Sequence, residues 1–154
     1  KMSKKIISSL ILLFSVFMYS CGFSPMYSMK DSQNLNIEVM SAEGDREINL
    51  NLKSKLRIHK NPNSQLFRIV INSNYLKTDV SKNLAGEVEE YRVQSTTNIT
   101  LITDDLEKKF VTTENFTMKN FADDFEEINY EKRLKKNIAD SNYRKILLEI
   151  NKIR

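Results

Sequence analysis

The chain has 154 residues and a formal net charge of +4 at pH 7, from 24 Lys and Arg against 20 Asp and Glu. Three of those bases precede Cys21, which leaves 21 bases against 20 acids and no basic excess of the kind that many phosphate contacts require, so a nucleic-acid binder is disfavoured. Three Gly, two Pro and a single Cys exclude collagen-like and Gly/Pro-rich disordered chains and any internal disulfide, so packing must hold the fold.

The first segment reads as a targeting signal. Lys1, Lys4 and Lys5 precede an apolar run from Ile6 to Tyr19, followed by Ser20-Cys21. The run is short for a helix crossing a hydrocarbon core of about 30 Å and fits the apolar region of a signal peptide. A small residue before a lone cysteine suits lipoprotein signal peptidase. Residues 1–20 are then a lipoprotein signal peptide, and Cys21 becomes residue one of the mature chain, carrying lipid on its thiol and amine. The alternatives are an ordinary secretory signal or a short uncleaved anchor, either of which leaves an odd thiol to explain. Residues 21–33 read as a lipidated tether, and 34–154 as a single domain long enough for its own core.

Residues 34–40 alternate, with Leu35, Ile37 and Val39 on one face, which predicts a half-buried strand. Asp45 is a candidate N-cap for a helix over 46–57. Ile48, Leu52 and Leu56 share one helical face, although Ile48, Leu50 and Leu52 also alternate. Asn61-Pro62-Asn63-Ser64 closes that element as a turn. Residues 66–77 read as a strand with Phe67, Ile69, Ile71 and Tyr75 in phase. A polar connection over 78–87 leads to a strand over 88–103 with Tyr91, Val93, Ile99 and Leu101 in phase. After a turn at Asp104-Asp105, residues 108–119 form a strand with Phe110, Phe116 and Met118 in phase. These three strands predict an antiparallel meander with one buried face. The last thirty or so residues read as an amphipathic helix, from the spacing of Phe121, Phe125, Ile128, Leu134, Ile138, Ile146, Leu147 and Ile150, with Asn142 as a weak point. Acids at its start and bases at its end suit the helix dipole. The order β-α-β-β-β-α predicts an α+β two-layer sandwich, a four-stranded mainly antiparallel sheet covered by two helices.

Catalytic constellations are scarce. His59 is the one histidine and reads as a solvated residue beside a turn. A metal site needs more ligands than the sequence groups together, the acids at 123–127 lack the spacing of a calcium loop, and three glycines do not build a phosphate loop. The expectation is a binding protein, not an enzyme, without cofactor or metal. The outward sheet face is rich in Thr, Asn, Ser and Gln. Arg68, Lys77, Arg92, Lys108 and Lys109, near its edges and turns, are the candidates for holding anionic sugar-phosphate headgroups, because basic side chains suit phosphates. The other reading of that face is an ordinary wet surface. An edge strand could also pair with a partner.

Cys21-Gly22-Phe23-Ser24-Pro25-Met26-Tyr27 resembles the mature start of the LPS-assembly lipoprotein LptE family, above all its alphaproteobacterial form, which opens with Cys-Gly-Phe, then Pro, then Leu-Tyr. Met26 stands where Leu is usual. The element order and the charged C-terminal helix agree with that family across the mature chain. The resemblance implies a lipid-anchored protein on the periplasmic side of the outer membrane, and Gly22 suits this because Asp there is the usual inner-membrane retention signal in enterobacteria. It further implies a plug that helps assemble the LptD β-barrel translocon and assists lipopolysaccharide transport to the surface. LptD-type barrel, lipopolysaccharide and membrane are then the partners, and nucleic acid is not. The alternative is another periplasm-facing lipoprotein, a lipid-binding or transport-auxiliary subunit. A lipoprotein hydrolase is a third class, without histidine partners to support it.

Overall fold

A computed structural model describes residues 34–154. The expected signal peptide over 1–20, Cys21 and the expected tether over 21–33 lie outside the described residues. The elements run β1 (Asn36–Gly44), α1 (Arg46–Leu56), β2 (Leu66–Lys82), β3 (Val88–Ile102), β4 (Glu107–Lys119) and α2 (Asp124–Ile153). The sheet order is β1-β2-β3-β4, so every strand lies beside its neighbour in sequence. The expected α+β sandwich is present, with a mixed sheet: β2, β3 and β4 form the antiparallel meander, while β1 runs parallel to β2. Two strands joined by a helix can run parallel, because the helix carries the chain back to the starting end of the sheet.

Alternation builds the core face. Phe67, Ile69 and Ile71 of β2, Val93, Ile99 and Leu101 of β3, and Met118 of β4 are buried against Ile48, Leu52 and Leu56 of α1 and Leu134, Ile138, Ile146 and Ile150 of α2. The ambiguity at Leu50 resolves as helix, since Leu50 is exposed while residues four apart are buried. Asp45 caps α1, its Oδ1 accepting from the N–H of Glu47 at 3.0 Å and of Ile48 at 2.9 Å. Gly44 turns the chain into that cap at φ +93°, and a Cβ there would lie 1.7 Å from the Ser73 carbonyl oxygen. Only glycine fits such an approach.

Three sequence expectations are corrected. β2 continues through Lys82 rather than ending at residue 77, so the β2–β3 hairpin is longer and its polar turn shorter. His59 is buried rather than solvated, with Nε2 2.7 Å from the Tyr143 hydroxyl and the two rings stacked. Its carbonyl accepts from the Ile37 N–H at 2.8 Å, and the Asn61 N–H donates to the Leu35 carbonyl at 3.1 Å, so the turn covers the first part of the outer edge of β1. Asn142 does not weaken α2. The helix passes unbroken through it, and its buried carboxamide accepts from Thr112 Oγ1 at 2.6 Å and donates to Thr97 Oγ1 at 2.9 Å. Thr97 and Thr112 face each other across β3 and β4, so one helical side chain ties both strands. Asn49 of α1 does the same for β2, accepting from Ser73 Oγ at 2.9 Å.

Candidate functional site

The two helices occupy one face of the sheet, and the other face is open among the described residues. Strand parity dictates what stands there. Arg68, Asn72, Asn74 and Thr78 of β2 alternate with the core residues, as do Arg92, Gln94, Thr96, Asn98 and Thr100 of β3 and Lys109, Thr113, Asn115 and Thr117 of β4. The surface is polar and dotted with single exposed apolar side chains, Leu76 and Val111 among them. Such isolated apolar residues are ordinary on a soluble surface.

The five basic candidates do not converge. Arg68, Arg92 and Lys109 lie on the open face. Arg68 sits 3.5 Å from Asp104, and Lys109 pairs with Glu107 at 2.9 Å. Arg68 is opposite Ile102, ten residues along β3 from Arg92, a separation of about 33 Å at the rise of a strand. No single headgroup bridges that span.

Lys77 and Lys108 are on the helix side, in phase with Tyr75 and Phe110. Lys108 Nζ is 2.6 Å from Glu149 near the end of α2. That contact and the neighbouring Lys152 hold the Glu149 carboxyl below the usual carboxylate range, against a smaller opposing effect of burial. Lys77 binds Glu127 and lies 3.5 Å from Glu131, with its ammonium 4.3 Å from the centre of the Tyr91 ring. Burial alone would lower the Lys77 pKa, but these two carboxylates outweigh it and raise it.

Lys77 belongs to a wider charged seam that sequence reasoning missed. Lys135 of α2 reaches Asp45 at 2.9 Å and Glu131 at 3.6 Å, with its ammonium 4.5 Å from the centre of the Tyr75 ring. The Tyr75 hydroxyl is pushed well above its ordinary range, by burial first and then by the Glu131 charge. Asp45 therefore caps α1 with one oxygen and anchors α2 with the other. The available signal was parity: Lys77 follows Tyr75 on the inward face of β2.

The seam replaces the apolar contact expected at the start of α2. Phe125 and Ile128 are 69% and 53% exposed, and the first buried apolar residue of the helix is Leu134. Glu127 and Glu131 take the inward phase because Lys77 waits there. Close by, an open cleft between the β2–β3 turn and the β4–α2 connection is lined by Asn83, Glu87, Glu89, Glu90, Lys119 and Phe121 among others. Its three acids make it a poor seat for phosphate.

Among the described residues, no three His, Cys, Asp or Glu side chains converge as metal ligands, and no helix is long and apolar enough to cross a membrane. The arrangement offers polar and charged docking surface on a rigid sheet.

No protein-family model matches the chain, and no curated protein matches it in sequence. In structure the chain is similar to rare lipoprotein B from Shewanella oneidensis, with a TM-score of 0.54 and 13% identity over 77% of this chain and 100% of that one. It is also similar to a Caulobacter crescentus CB15 protein described as a lipoprotein, with a TM-score of 0.56 and 15% identity over 79% of this chain and 91% of that one. At such identities the likeness establishes a shared fold, an α+β sandwich spanning nearly the whole length of both relatives.

Proposed function

We propose that this protein is a lipid-anchored lipoprotein on the periplasmic side of the outer membrane, where it plugs and helps assemble an LptD-type β-barrel and assists lipopolysaccharide transport. The observation that carries the reading is the pairing of Ser20-Cys21 with a following domain whose fold two lipoprotein structures share. A lipidated Cys21 holds the chain to a bilayer without a spanning helix. Twelve residues lie between Cys21 and Asn34, so the domain sits within about 45 Å of its anchor at full extension. The plug itself works through contact: a rigid sheet with an open polar face fills space and meets a barrel wall without chemistry at a catalytic centre. Arg68, Arg92 and Lys109 are the retained candidates for anionic headgroups, with Arg92 a point of contact remote from Arg68, while Lys77 and Lys108 serve to dock α2.

The test is affinity purification of the tagged chain from detergent-solubilised outer membranes, with mass spectrometry of what is retained. A stoichiometric large barrel is expected. An anchored chain that brings down no barrel would discard the plug and leave another periplasm-facing lipoprotein, a lipid-binding or transport-auxiliary subunit.

A further inference from the structure

The two edges of the sheet are treated differently. The outer edge of β1 is interrupted by a bulge between Val39 and Ser41, and its first residues bond to the segment 59–61. Bulges and covering loops are the usual protection of an edge. The other edge, β4, has neither. It relies only on charged side chains, Lys108, Lys109, Lys119, Glu107 and Glu114, which guard an edge against like-charged partners but not against one of matching charge. Its thirteen residues pair with β3 in unbroken register and contain no proline, and among the described residues no strand pairs with its outer side. A row of backbone donors and acceptors is left for a partner strand.

The sequence of β4, Glu-Lys-Lys-Phe-Val-Thr-Thr-Glu-Asn-Phe-Thr-Met-Lys, is self-complementary about its midpoint. When two copies are laid antiparallel with Thr113 opposite Thr113, Glu107 faces Lys119 at both ends, Phe110 faces Phe116 twice, and Val111 faces Asn115. No like charges oppose each other, and opposed residues share a face because antiparallel partners point the same way. A slip of two residues in one direction sets Glu114 against Glu114 and Lys109 against Lys119. Phe110 and Phe116 already pack on the rim of the core, so the paired rings would extend that core across the junction. We infer that β4 is a homodimerisation edge, joining two copies into one continuous eight-stranded sheet with a two-fold axis at Thr113. The partner is a second copy of this chain, and the inference is independent of the lipid-anchor reading.

Cysteine cross-linking of the full chain in detergent tests it, with Cys21→Ala as background so that the introduced thiol is the only one. Across the axis the two Cα atoms of residue 113 would lie about 4.5–5.5 Å apart, within the Cα separation that a disulfide spans. Thr113→Cys should therefore oxidise to a covalent dimer. Val111→Cys and Asn115→Cys should each stay monomeric alone and cross-link when mixed. Glu107→Lys, measured without cross-linking by sedimentation, should raise the dimer dissociation constant about tenfold, since it creates two like-charge pairs. Adding Lys119→Glu should restore it. Cross-linking of Thr113→Cys no better than that of Thr96→Cys, a β3 position away from the edge, would overturn the inference. So would a monomer at all concentrations, or capture of a different protein at residue 113.

Discussion

Removing the Asn142 carboxamide should cost this domain a large share of its stability. Asn142→Ala abolishes the 2.6 Å bond from Thr112 and the 2.9 Å bond to Thr97, at about 1 kcal/mol each. It also leaves a cavity beneath a side chain that is 1% exposed, and a void of roughly 40 Å³ adds about 1 kcal/mol. The expected loss is about 3 kcal/mol, against the 5–15 kcal/mol typical of a domain. Urea denaturation of the chain followed by circular dichroism reads it directly. A second variant separates polar satisfaction from packing. Asn142→Leu alone strands two buried hydroxyls and should cost at least as much as alanine, whereas Asn142→Leu with Thr97→Val and Thr112→Val replaces the whole rung and should return to within about 1 kcal/mol of the parent. A loss below about 1 kcal/mol for Asn142→Ala would refute the reasoning, because the two threonines would then satisfy each other without the helix.

Gly44→Ala should destabilise by about 3 kcal/mol or prevent folding, since a positive φ and a Cβ 1.7 Å from the Ser73 oxygen must both be relieved; thermal melts check it. Lys77→Met should free the start of α2, raising amide exchange over residues 124–133 by about tenfold while exchange around Ile146 stays unchanged. Glu114 and Glu149 both have lowered folded pKa values. For Glu114, burial opposes the shift but the bonds from Lys145 and Ser141 outweigh it; for Glu149 the bond from Lys108 leads. Groups with depressed folded pKa values contribute stability that is full above the unfolded carboxylate range and is lost as pH falls through the folded values. The melting temperature should therefore drop as pH is lowered below about 4.5, and less steeply in Glu114→Gln.

The element order was legible because hydrophobic period changes type along this chain, from alternation at Leu35-Ile37-Val39 to steps of four at Ile48-Leu52-Leu56 and back again. The inward position of Lys77 and Lys108 was legible too, through their phase with Tyr75 and Phe110, but a charged side chain was expected to follow solvent rather than parity. Other features depend on tertiary partners that no local pattern names. Phe125 and Ile128 keep helical spacing and still face outward, because the inward phase goes to Glu127 and Glu131, whose value depends on Lys77 some fifty residues earlier. Asn142 reads as a helix weakener until Thr97 and Thr112 are placed beneath it. The parallel pairing of β1 leaves no mark on β1 itself, since either direction buries the same alternating side chains. Dispersion of the basic candidates follows from strand length: the ten-residue offset between Arg92 and the partner of Arg68 becomes distance only once the register is known.

The most direct test of the anchored-plug reading is the intact mass of the chain extracted from its native membranes, with the N-terminal peptide sequenced. The expected species begins at Cys21 and carries acyl groups on the thiol and the amine. A chain that retains residues 1–20, or a Cys21 thiol that alkylates freely, would contradict it.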